Sequence, residues 1–108
     1  MARQITVDEL ARMFNARQSV MLLDVRQPWE HETACLPDSV LIPLPELEDR
    51  WNEVESPPGT VVVAYCHHGV RSLSAAAFLE ARGIEGVLSL AGGIDAWSRH
   101  VDPTIPRY

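Results

Sequence analysis

Four short apolar runs punctuate this chain: Val20-Met21-Leu22-Leu23, Ser39-Val40-Leu41-Ile42, Val61-Val62-Val63-Ala64-Tyr65 and Val87-Leu88-Ser89-Leu90. They lack the strict polar alternation of a strand with one wet face. Strands of this kind are buried on both sides, the condition of a parallel sheet covered by helices on two faces. The segments between them read as helices. Thr6-Val7-Asp8-Glu9 forms a capping box ahead of a helix to about Arg17, and Pro28 opens a short helical turn through Trp29-Glu30-His31-Glu32. Leu44 to Val54 reads as helical and is broken by Ser56-Pro57-Pro58-Gly59, while Leu73 to Arg82 is a good helix former closed by Gly83. Ile94, Trp97 and Val101 stand at helical spacing, and 102–108 reads as an extended tail. The alternation predicts an α/β fold: a central, mostly parallel sheet of four to five strands flanked by helices on both faces.

In such sheets the ligand site lies off the carboxyl ends of the strands. Three polar or glycine-rich segments fall at predicted strand ends: Asp24-Val25-Arg26, Cys66-His67-His68-Gly69-Val70-Arg71 and Ala91-Gly92-Gly93. The fold is expected to bring them together.

Composition narrows the chemistry. A chain of 108 residues with 46% hydrophobic residues is expected to form a single domain, residues 1–108, around one core. The apolar runs fall far short of the roughly 20 residues that span a bilayer. The first residues, Met1-Ala2-Arg3-Gln4-Ile5, lack the apolar stretch of a secretory signal, so no membrane association and a cytoplasmic location are expected. The net charge is −6, from nine arginines, no lysine and fifteen acidic residues, which argues against a nucleic-acid footprint. Without lysine, Schiff-base chemistry and a P-loop lysine are excluded. Cys35 and Cys66 are expected to remain reduced, and no CxxC pair points to zinc. His67 and His68 are adjacent and poorly placed to share one metal, so no metal site is expected.

Cys66 sits where a buried strand passes through a short loop into a helix. Oriented backbone N–H groups and the helix dipole favour negative charge there, and Arg71 adds to the effect. Gly69 permits successive loop N–H groups to point at one sulfur, either a thiolate or the outer sulfur of a persulfide. Cysteine nucleophiles that handle phosphate or arsenate normally use a Cys-x5-Arg loop. Here Arg71 closes a Cys-x4-Arg loop, a narrower cradle suited to a sulfur-sized atom.

Taken together, these segments resemble a single-domain rhodanese-like sulfurtransferase. The resemblance rests on Leu22-Leu23-Asp24-Val25-Arg26 with Pro28-Trp29-Glu30, Leu41-Ile42-Pro43-Leu44, Val62 through Ser72, and Leu90-Ala91-Gly92-Gly93-Ile94-Asp95-Ala96-Trp97. It covers nearly the whole chain in the family's order and implies a small rhodanese-like domain. It also implies that Cys66 attacks the outer sulfur of thiosulfate, or of a persulfide donor, and holds it as a persulfide without any cofactor. The sulfur then passes to cyanide, a thiol or a sulfur-carrier protein. Arg71 is expected to bind the anionic donor, His67, His68, Gly69 and Val70 to contribute loop backbone, and Asp24, Arg26 and Ser72 to support the loop. Gly92 and Gly93 read as turn glycines and Trp97 as core. One segment departs from relatives: Ala34-Cys35-Leu36-Pro37-Asp38-Ser39 stands where many carry Gly-His-Ile-Pro-Gly-Ala. It is expected to relax its backbone and to lie at the sheet edge opposite the active loop, leaving Cys35 unable to resolve a Cys66 persulfide. The competing readings are a non-catalytic sensing or docking module and a cysteine-dependent phosphatase or arsenate reductase. The retained cysteine disfavours the first and the short loop the second.

Overall fold

Sequence periodicity resolves in the computed structural model, which describes residues 3–54 and 56–108, into one sheet between two helical layers. The strands are β1 (Arg3–Ile5), β2 (Val20–Asp24), β3 (Val40–Leu41), β4 (Val61–Tyr65) and β5 (Leu88–Leu90), in the spatial order β1-β5-β4-β2-β3. All four pairings are parallel. The helices are α1 (Val7–Asn15), α2 (Pro28–Thr33), α3 (Leu47–Arg50), α4 (Val70–Ala81) and α5 (Gly93–His100).

Strand alternation divides the core in two. Leu23, Val62, Ala64 and Cys66 face Leu47 of α3 and Ala75, Ala76 and Leu79 of α4. Leu22, Val63 and Tyr65 face Leu10 of α1 and Ile94 and Trp97 of α5. Because side chains alternate at each strand residue, Cys66 enters the α4 face and Tyr65 the opposite one.

Several boundaries depart from expectation for local reasons. The β1 strand goes unpredicted because Arg3-Gln4-Ile5 carries no apolar run; it holds by main-chain pairing to β5, with only Ile5 buried. Thr6 then caps α1 as expected, its hydroxyl accepting from the Glu9 N–H at 3.1 Å while Glu9 accepts from the Thr6 N–H at 3.0 Å. Leu44–Val54 is not one helix: single 3-10 turns at Leu44–Glu46 and Trp51–Glu53 flank α3, with Pro45 in the first of them. The tail is turned rather than extended, and Ser98 fixes it by donating to the Ile105 carbonyl at 2.6 Å.

The 34–39 segment also corrects the expectation. β3 pairs only with the carboxyl end of β2, Leu23 against Val40 and Asp24 against Leu41. The segment that feeds it therefore packs at the same end of the sheet as the Cys66 loop. Arg26 donates to the Ala34 carbonyl at 2.6 Å, and the Leu36 N–H donates to the Tyr65 hydroxyl at 3.1 Å. Asp38 takes φ 61°, keeping at this position the left-handed conformation that glycine adopts freely. Cys35 is a free, half-buried thiol.

The strand ends are braced by a buried ion pair. Asp24 and Arg26 are both fully buried and meet in a bidentate arrangement, Nε to Oδ1 at 2.8 Å and Nη2 to Oδ2 at 2.7 Å. Replacing one partner of such a pair leaves an uncompensated buried charge. Asp24→Asn is expected to lower the unfolding free energy by about 3–5 kcal/mol, measured by urea denaturation.

Candidate active site

The Cys66 loop is shaped by its neighbour helix. Gly93 opens α5, and the next two N–H groups have no partner within the helix. Ile94 donates to the Cys66 carbonyl at 2.9 Å and Asp95 to the His67 carbonyl at 3.1 Å. With two carbonyls of the loop turned toward α5, the loop's N–H groups are free to face the other way. Gly69, in the left-handed region at φ 102°, brings its own N–H to 3.1 Å from Cys66 Sγ. Gly69 is also the N-cap of α4, which therefore begins at Val70, earlier than its sequence suggests, and includes Arg71 and Ser72 in its first turn.

Cys66 is 1% exposed, so its sulfur lies at the floor of the loop rather than on the surface. On the α4 side, Sγ is 3.6 Å from Ser72 Oγ, and Ser72 Oγ is 2.7 Å from Ser89 Oγ. Both serines are fully buried. This pair can accept a thiol proton or, with the hydroxyls rotated, donate toward a charged sulfur. Ser89 lies inside the β5 apolar run, and nothing in its sequence context marked it.

The histidine rings are engaged with each other. His67 stacks on His68 at a centroid separation of 4.0 Å and on Tyr108 at 4.1 Å, forming a three-ring column. Burial, and then the neighbouring His68, push the His67 imidazole below its usual pKa, so its ring is neutral at neutral pH. His68 reaches toward Asp95 at 3.9 Å, and Arg99 and Arg107 approach the same carboxylate at 3.7 and 3.2 Å.

Arg71 is not a free cation. Its guanidinium grips Glu30 with both terminal nitrogens, at 2.6 and 2.9 Å. Glu30 is 4% exposed and also accepts from the Tyr108 hydroxyl at 2.7 Å and from the Gln27 N–H at 3.0 Å. The Arg71 pair holds the Glu30 carboxyl down at about 2 against the opposing effect of burial. Burial raises Tyr108 to about 12, so its hydroxyl stays protonated. Arg26 in turn donates to that hydroxyl at 2.7 Å. Asp24, Arg26, Tyr108, Glu30 and Arg71 thus form one connected network from β2 to the loop.

The predicted residues Cys66 to Arg71, Ser72, Asp24 and Arg26 therefore converge at the carboxyl end of the sheet. Glu30 was read as part of the helical turn and of the resembling Pro28-Trp29-Glu30 segment, with no site role, and Tyr108 as part of the tail. Neither carries a local signal of its partnership, because both contacts join residues far apart in sequence. Among the described residues, no group of three or more His, Cys, Asp and Glu assembles that could hold a metal.

Comparison with known proteins follows the geometry. A family model described as Rhodanese-like domain matches residues 6–100. A protein named Sulfurtransferase from Allochromatium vinosum is 35% identical over 105 residues, covering 97% of this chain and 96% of that one. The adenylyltransferase and sulfurtransferase MOCS3 of Arabidopsis thaliana is 30% identical across 97% of this chain, which spans only 26% of that longer protein. Among solved structures, a rhodanese-related protein from Thermoplasma volcanium superposes with a TM-score of 0.83 at 28% identity, covering 98% of this chain and 99% of that one.

Two outcomes are expected. A Cβ on Gly93 would overlap the carbonyl oxygens of Cys66 and His67, and φ there is 61°. Gly93→Ala is expected to cost on the order of 3 kcal/mol in thermal or urea unfolding and to lower the reactivity of Cys66 toward alkylation. The second concerns pH. Glu30 ordinarily titrates near 4.5 but here near 2, so its stabilisation is complete above pH 4.5 and disappears as pH falls through 2. Wild type should lose about 3 kcal/mol more than Glu30→Gln over that window, read from paired unfolding curves.

Proposed function

This chain belongs to the rhodanese-like domain family, and on that premise we propose that it moves sulfane sulfur from thiosulfate or a persulfide to cyanide, a thiol or a sulfur-carrier protein through a persulfide on Cys66. Sulfurtransferase activity is what its named relatives support. The observation that carries the finer reading is the Gly69 N–H directed at Cys66 Sγ at 3.1 Å from a loop whose carbonyls are taken up by α5. A hydrogen-bond donor fixed on Sγ favours the charged sulfur of the attacking thiolate and of the thiolate that re-forms when the outer sulfur leaves.

In the first half-reaction Cys66 Sγ bonds to the outer sulfur of the donor. The donor's S–S bond breaks, and its electron pair leaves on sulfite or on a thiolate. In the second, an acceptor nucleophile takes the outer sulfur and the electron pair returns to Cys66 Sγ. No cofactor or metal is required, because the sulfur itself is the electrophile. Gly69 supplies the N–H, Ser72 backed by Ser89 manages the thiol proton, and His67, His68 and Val70 complete the loop. Asp24 and Arg26 hold the strand end that carries it. A cytoplasmic setting fits a chain whose nucleophile is a free thiol.

Intact-protein mass spectrometry after incubation with thiosulfate, and separately with an organic persulfide, is expected to show addition of one sulfur atom. Cys66→Ser abolishes the addition and Cys35→Ser retains it. Absence of the adduct with both donors overturns the proposal, and partner binding that survived Cys66→Ser would then favour the docking reading.

A further inference from the structure

The electrostatics of the site bear on which donor it accepts. Thiosulfate carries two negative charges and needs a cation at the loop; Arg71 is the loop's own. In the structure both terminal nitrogens of Arg71 are committed to Glu30, at 2.6 and 2.9 Å. The Glu30 carboxylate is buried, and the Tyr108 hydroxyl and Gln27 N–H fix its orientation at 2.7 and 3.0 Å. The other guanidinium of the network, Arg26, is fully buried against Asp24. Arg99 and Arg107 both approach Asp95. Arg71 and Arg26 are thus each matched one to one, and Arg99 and Arg107 share a single carboxylate, on a chain whose net charge is −6.

The exposed side chains on the loop and beside its aromatic stack point the same way. Val70 is 75% exposed beside the loop, and Trp29 is 59% exposed and packs edge-on against Tyr108 at 5.9 Å. Tyr108 continues into the His67–His68 stack. A rim of this composition suits the organic group of R–S–S–H better than a fully hydrated sulfonate end.

We infer that Glu30 is a specificity-determining residue: by holding Arg71 in a closed bidentate pair beside an apolar and aromatic rim, it sets the site for organic persulfides over thiosulfate. This rests on the sulfur-transfer reading above and names the donor class within it. The step balances without external redox. Cys66 thiolate bonds to the outer sulfur of R–S–S–H, the donor S–S bond breaks, and the electron pair leaves on R–S⁻, giving Cys66–S–S–H.

The test compares initial rates with thiosulfate and with 2-hydroxyethyl persulfide, whose organic group is uncharged, on wild type and Glu30→Gln. Glu30→Gln removes one negative charge and one of the two oxygens that bind Arg71. The ratio of kcat/KM for thiosulfate to that for the persulfide is expected to rise about tenfold, mainly through a lower KM for thiosulfate. Loss of folding alone would depress both donors together and leave the ratio in place. Tyr108→Phe, which removes one donor from Glu30 Oε2 while both Arg71 hydrogen bonds remain, is expected to leave the ratio within about twofold of wild type. Wild type gives an independent reading: kcat/KM for thiosulfate should stay flat or rise with ionic strength, because the anion meets a neutralised site on an acidic chain. An unchanged or lower ratio in Glu30→Gln, or a steep fall of the wild-type thiosulfate rate with salt, overturns the role of Glu30 while leaving sulfur transfer intact. Failure of both donors to load Cys66 overturns the sulfur-transfer reading itself, and the inference with it.

Discussion

Two hydrogen bonds decide what this site can do: the Ile94 and Asp95 N–H groups of α5 on the carbonyls of Cys66 and His67. Helix N-termini present unpaired donors, and here those donors are satisfied by backbone. Two things follow. The loop is held against α5 closely enough that Gly93 has no room for a side chain. Its carbonyls point outward to α5, so the inward face is left to N–H groups, and the Gly69 N–H reaches sulfur. The donor that meets Cys66 Sγ thus comes from main chain, at the N-terminus of α4. The His67 ring is held apart from this arrangement, stacked between His68 and Tyr108.

A second layer keeps that backbone in place. The network from Asp24 through Arg26, Tyr108 and Glu30 to Arg71 ties the end of β2, the start of α2, the tail and the first turn of α4 into one unit. The Asp24–Arg26 pair is buried and the Glu30–Arg71 pair half-buried, so desolvation offsets much of their attraction. What they contribute instead is geometry: two planar bidentate pairs and a hydroxyl that bridges them fix orientation more tightly than apolar contacts do. Tyr108 is central because it both donates and accepts, accepting from Arg26 and donating to Glu30, while its ring packs on His67.

Much of this was legible in the sequence where the signal was local. The apolar runs placed the central strands, Thr6 and Glu9 placed the start of α1, and the strand–loop–helix around Cys66 placed the nucleophile. What stayed hidden depends on distance along the chain. Arg71 read as an anion ligand because its partner, Glu30, lies forty-one residues away and looked like part of a helical turn. Ser89 is polar inside an apolar run, and only the packing of α4 on β5 gives it a partner. The 34–39 segment misled for a different reason. Its lost glycines drew attention to local backbone freedom, whereas long-range contacts place it: Arg26 on the Ala34 carbonyl and the Leu36 N–H on the Tyr65 hydroxyl.

The loop and the network make different demands on a substrate. Cys-x4-Arg leaves a cradle with a single sulfur at its floor and one measured N–H donor upon it, so selection by size comes from the loop. Selection by charge has to come from whatever lies above that floor. On an acidic protein, discrimination against dianions needs no added repulsive group; it is enough that the one arginine in the loop is already neutralised. Glu30 meets that condition from outside the loop, so on the proposed reading the reactivity of Cys66 and the identity of the donor would be set by separate residues. The same loop could therefore change donors through α2 while the backbone around Cys66 stays as it is.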